Sequence, residues 1–96
     1  MDLAKVEGSV VSTVKSERLH GYTLLVVSLL KPDTTATGTS IVAVDTVGAG
    51  VGEIVLVVRG SSARQTEKLE SVPADASIVG IVDTIVHLGK EMYHKE

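Results

Sequence analysis

The chain has no cysteine, no phenylalanine and no tryptophan, and its aromatic content is two tyrosines, Tyr22 and Tyr93. Without cysteine there are no disulfides and no thiolate metal sites. Without Phe and Trp the core has to be built from Val, Ile, Leu and Ala. Stacking platforms for single-stranded nucleic acid are missing too. Basic runs are absent: nine Lys and Arg are dispersed among twelve Asp and Glu, for a net charge of -3. A nucleic-acid surface needs a positive stripe, so that class of partner is not expected. No apolar run approaches the ~20 residues of a membrane span. The opening Met1-Asp2-Leu3-Ala4-Lys5 has no apolar h-region, so a signal peptide is not expected and the cytoplasm is.

What is present is 96 residues, 44% of them hydrophobic, enough for one small domain and not two. A core of that size gives marginal stability. Oligomerisation is a common remedy, because it buries strand faces and edges that a lone chain leaves open.

The chain is organised around residues 42–64. Residues 41–47 and 54–58 are rich in Val and Ile, as strands prefer. Between them Gly48, Gly50 and Gly52 occupy alternate positions. Glycines so placed permit positive φ and close approach of another backbone. Two readings follow: a glycine-rich hairpin with a bulge, or a place where a second chain packs on bare backbone.

Three chemical motifs begin in this stretch and none is completed. Gly48-x-Gly50 begins like a dinucleotide fingerprint, but Glu53 stands where the third glycine belongs and a strand follows instead of a helix. No Gly-Lys-Ser/Thr follows, so there is no phosphate-binding P-loop. Gly60-Ser61-Ser62-Ala63-Arg64 approaches a nucleophile elbow, with Arg64 in place of its last glycine.

In chain order, residues 3–14 read as a first strand, with a bend or bulge near Gly8. Residues 22–30 are nearly continuously apolar and read as a central strand ended by Pro32. Residues 33–40, with four threonines and Gly38, read as a mobile, solvent-facing loop. Residues 61–69 tolerate a short helix that Ser61 or Ser62 caps. Residues 70–77 read as loop, residues 76–88 as a fifth strand, and the polar tail from Gly89 as frayed or weakly helical. The expected fold is all-β: one domain, residues 1–96, forming a small five-stranded OB-like Greek-key barrel with one short helix and a flexible tail, residues 89–96.

The titratable residues suggest structure before chemistry. His20, His87 and His94 share no metal-ligand spacing with one another or with an acid. Asp45 and Asp83 each follow an apolar strand run. They are read as capping a turn or pairing with an arginine, for which Arg64 is the obvious partner. The alternative, a catalytic pair, lacks a visible nucleophile, base and oxyanion-donor set. No cofactor, no metal and no enzymatic activity are expected.

Certain segments resemble a known family. They are Gly8-Ser9-Val10-Val11-Ser12-Thr13-Val14-Lys15, Leu19-His20-Gly21-Tyr22-Thr23-Leu24-Leu25-Val26-Val27, residues 42–53, Gly60-Ser61-Ser62-Ala63-Arg64 and Ile78-Val79-Gly80-Ile81-Val82-Asp83. In that order they resemble the EutN/CcmL family of bacterial microcompartment vertex proteins. The resemblance covers nearly the whole chain; residues 33–40 and the tail after Val86 depart from it. It implies an OB-like barrel assembling as a cyclic pentamer at the five-fold vertices of a shell. A sheet of hexagonal tiles cannot close without such five-fold defects. The implied partners are further copies of this chain and hexameric shell proteins, with no nucleic acid and no membrane.

On that resemblance Gly48, Ala49 and Gly50 are expected near the neighbouring subunit, around a narrow axial opening. Ser61, Ser62 and Arg64 are expected at the seam, with Asp45 or Asp83 as acceptors, and Thr13 and Lys15 facing the shell partner. The rival readings are an OB-fold binding module for nucleic acid or another ligand, and a small enzyme using an aspartate or a histidine.

Overall fold

In the computed structural model, residues 1–11, 21–60 and 75–96 are described. Seven strands account for most of them: β1 (Asp2–Val10), β2 (Thr23–Leu30), β3 (Ala36–Asp45), β4 (Ile54–Arg59), β5 (Ala76–Ile81), β6 (Thr84–His87) and β7 (Lys90–His94). The first five close into a barrel in the order β1-β2-β3-β5-β4, and β6 and β7 form a separate two-stranded hairpin. All the barrel contacts are antiparallel except β3 with β5, which run parallel. This is the expected all-β barrel of OB type.

Alternation produces the core. In β1, Ala4 and Val6 point inward while Lys5 and Glu7 point to solvent. In β2, Leu25, Val27 and Leu29 are buried, as the central position between β1 and β3 requires. Val55 and Val57 of β4 and Ile78 of β5 complete the interior, all at 0% exposure. Burying each such side chain contributes about 1.5–3 kcal/mol. The bulge expected near Gly8 is present as a register shift between Val6 and Gly8. It bends β1 as closure of a small barrel requires.

Several local expectations are corrected. Residues 33–40 are not one loop. A tight turn over Lys31–Thr35 is closed by the Thr34 N–H on the Lys31 carbonyl (2.8 Å) and the Lys31 N–H on the Thr35 carbonyl (2.8 Å). From Ala36 the chain is already β3. The first five residues of that strand are exposed, so no hydrophobic period marks them, yet Ala36 and Ser40 pair with Leu30 and Ser28. The single fifth strand is two, β5 and β6, separated at Val82 and Asp83. The tail is not helical: residues 90–94 form β7, turned back on β6 through Leu88 (φ 53°) and Gly89 (φ 76°). Positive φ at both turn positions matches the twist of a two-residue hairpin. The hairpin reading of residues 41–58 also fails, because β5 lies between β3 and β4 in the barrel. The expected helix over residues 61–69 and the extension of β1 to residue 14 lie outside the described residues.

Candidate functional site

The glycine stretch bridges the end of β3 to the start of β4 and is stitched to the barrel along its length. Asp45, the last residue of β3, is 9% exposed. Its Oδ1 accepts the N–H groups of Val47 (3.0 Å) and Gly48 (3.1 Å), and its Oδ2 accepts that of Ala49 (2.9 Å). The next N–H, from Gly50, donates to Oε1 of Glu53 at 2.6 Å. The Glu53 N–H returns a bond to the Gly50 carbonyl at 3.1 Å. Two carboxylates thus satisfy four consecutive backbone donors.

The other contacts fix where this loop sits. The Thr46 hydroxyl donates to the carbonyl of Ile78 on β5 (2.8 Å). The Gly52 N–H donates to the Val6 carbonyl, and the Val6 N–H to the Glu53 carbonyl, both at 2.9 Å. The Ala49 side chain packs on the barrel core. Gly48 has a φ of 78°, a conformation that L side chains rarely adopt. Gly50 has no positive φ, and among the described residues a Cβ placed there would meet only Oε1 of Glu53, at 3.4 Å. The described residues of one chain thus give Gly50 no steric reason to be small beyond that contact. Val47 and Val51, which flank the glycines, are 38% and 72% exposed. The loop therefore presents a fixed, partly apolar surface outward.

The hairpin is fastened to this same end of the barrel. The Val82 N–H donates to the Ile54 carbonyl (2.8 Å), and the Lys95 N–H to the Asp83 carbonyl (2.7 Å). The Lys95 ammonium lies 2.6 Å from Oε2 of Glu53. That hydrogen bond, then the one from Gly50, hold the Glu53 carboxyl below its ordinary range; the same pairing raises Lys95 above its own.

This chemistry does not suit a phosphate cradle, since the loop donors that would hold an anion already serve carboxylates of the same chain. Among the described residues no group of three His, Cys, Asp or Glu side chains is placed to hold a metal. Of the residues expected at a site, Asp45, Gly48, Ala49 and Gly50 come together here. Asp45 takes the turn-capping role. Asp83 is exposed at the hairpin base, beside an open apolar groove lined by Leu3, Leu56, Val82 and Ile85. His87 and His94 lie on β6 and β7, with His94 3.7 Å from Glu91. Ser61, Ser62, Arg64, Thr13, Lys15 and His20 lie outside the described residues. An arginine fork does occur, made by Arg59 on Asp2 (2.9 and 3.4 Å). Glu53 and Lys95 carry no local sequence signal for this pairing, which joins positions far apart in the chain.

Comparison with known proteins agrees with this architecture. Residues 1–83 match the family model described as ethanolamine utilisation protein EutN/carboxysome. EutN of Escherichia coli, named a bacterial microcompartment shell vertex protein, is 45% identical over 95 residues, covering 99% of this chain and 100% of its own. The solved structure of CcmL from Nostoc sp. PCC 7120 superposes with a TM-score of 0.90 at 44% identity, over 99% of this chain and 100% of that one. The GrpN pentameric microcompartment shell protein from Rhodospirillum rubrum superposes with a TM-score of 0.82 at 55% identity, over 92% of this chain and 100% of that one. These relatives are named as structural shell proteins, which does not favour the ligand-binding or enzymatic readings. The chain belongs to the EutN/CcmL family of microcompartment shell vertex proteins.

Proposed function

We propose that five copies of this chain close into a ring that caps a five-fold vertex of a bacterial microcompartment shell in the cytoplasm. The observation that carries this reading is the likeness to the pentameric GrpN structure at 55% identity over nearly the whole chain. The geometry is consistent with it. A ring needs a head-to-tail contact between two unlike surfaces of the subunit, repeated until the rotation closes. The glycine loop suits one side of that contact: it is held rigid from within, and it shows small residues and two valines outward.

In the ring, Gly48, Ala49 and Gly50 face the neighbouring subunit near the axis. Ser61, Ser62 and Arg64 make the polar seam. Asp83 is its open acceptor, because the carboxylate of Asp45 is already committed to three N–H groups. Thr13 and Lys15 face hexameric shell proteins, which form the flat facets around the vertex. The role is architectural: five-fold units let a hexagonal sheet curve into a closed shell.

The function is tested by assembling shells from facet proteins with and without this chain, and imaging them by electron microscopy. Closed polyhedra with the chain, and open sheets, tubes or shells with missing corners without it, are expected. Equally closed shells in both cases would remove the vertex role.

A further inference from the structure

We infer that the β6–β7 hairpin is a strap, and that Lys95 positions the glycine loop through Glu53, a residue it shares with Gly50. The consequence for assembly rests on the ring reading above; the strap itself does not.

The two halves of the loop are held differently. Val47, Gly48 and Ala49 hang on Asp45, which is part of barrel strand β3. Among the described residues Gly50 hangs on Glu53 alone, and that carboxylate divides its two oxygens between the Gly50 N–H and the Lys95 ammonium, each at 2.6 Å. Lys95 is brought there by the hairpin. Thr84 pairs with His94, the Lys95 N–H then caps the Asp83 carbonyl, and the side chain reaches back over the barrel end. A carboxylate gripped at one oxygen by a cation presents the other in a fixed direction. Lys95 therefore orients an acceptor for a residue it does not touch. It lies beyond residue 83, where the match to the family model ends, in a stretch that the EutN and CcmL relatives still cover. Movement of the hairpin would release Gly50 and leave residues 47–49 in place. In the ring, that loosens one half of the surface offered to the next subunit.

The test is amide hydrogen exchange on the full chain, read at single residues. Lys95→Met should speed exchange at the Gly50 N–H by about two- to fivefold, the range a partly exposed surface ion pair supplies. Exchange at Val47, Gly48 and Ala49 should stay unchanged, and Lys95→Arg should restore Gly50. Raising salt to about 1 M on the unaltered protein, where screening acts over ~3 Å, should move Gly50 in the same direction without any substitution. Gly50 exchange that is unmoved by both Lys95→Met and salt overturns the strap, as does equal acceleration across residues 47–50. Native mass read alongside separates the two ideas. A parent protein that is not five-membered removes the ring and leaves Gly50 exchange to decide the strap. An intact ring with unmoved Gly50 exchange removes the strap alone.

Discussion

Asp45 and Glu53 bracket the glycine loop and between them accept the N–H groups of all four residues from Val47 to Gly50. The conformation of the loop is set by the chain's own acids. A loop that is fixed before assembly loses less entropy on meeting a neighbour than one that must order there.

Asp45→Asn is the direct test of that clamp. An amide offers one acceptor oxygen and turns its NH₂ toward a backbone donor, so at least one part-buried N–H loses its partner. The expected loss is about 1–3 kcal/mol of unfolding free energy, measured by urea denaturation at fixed protein concentration. An unchanged midpoint would show that these bonds contribute nothing net.

Gly50→Val separates the needs of the chain from those of the ring. Among the described residues the added Cβ meets only the Glu53 carboxylate, and the backbone φ is not positive. The fold should survive, with the strand signal in circular dichroism retained and about 1 kcal/mol lost. The five-membered species should fall apart to smaller ones if Gly50 abuts a neighbouring subunit. Gly8→Ala, where no described atom lies within 4 Å of the added Cβ, should keep the ring.

Five barrel strands were legible because their Val and Ile runs either alternate or fill a buried strand, as in Leu25, Val27 and Leu29. The first half of β3 was not, since residues 36–40 are exposed on both faces and carry no period. Strand β7 was hidden likewise, with Lys90, Glu91 and His94 all exposed. Its strand character comes from pairing with β6, a tertiary cause. Asp45 as a turn cap could be read locally, because its partners are two to four residues away. The Glu53–Lys95 pair could not: it joins positions that only the closed barrel and the folded-back hairpin bring together.

Both acid and alkali should weaken the strap. The Lys95 hydrogen bond, then that of Gly50, lower the Glu53 carboxyl from its ordinary 4.5. Its contribution is therefore full above 4.5 and disappears as pH falls through the lowered folded value. Lys95 is raised from its ordinary 10.5, chiefly by the same bond, so its contribution is full below 10.5 and is lost as pH rises through the raised value. Urea midpoints followed from about pH 6 down to about pH 2 should fall less steeply in Glu53→Gln than in the parent. Parallel curves would contradict the pairing.

Leu88 holds a φ of 53° at the hairpin tip and is 90% exposed. A leucine gains little there, and asparagine suits the first position of such a turn far better. Leu88→Asn should raise stability by about 1 kcal/mol, read as a higher melting temperature. A fall instead would mean that the leucine side chain is covered in the assembled protein.

The ring is the central claim, and native mass spectrometry of the purified chain measures it most directly. One dominant species of five chains, carrying five times the mass of the 96-residue chain, is the expected result. A stable monomer or dimer at concentrations well above those used for assembly would contradict the vertex account.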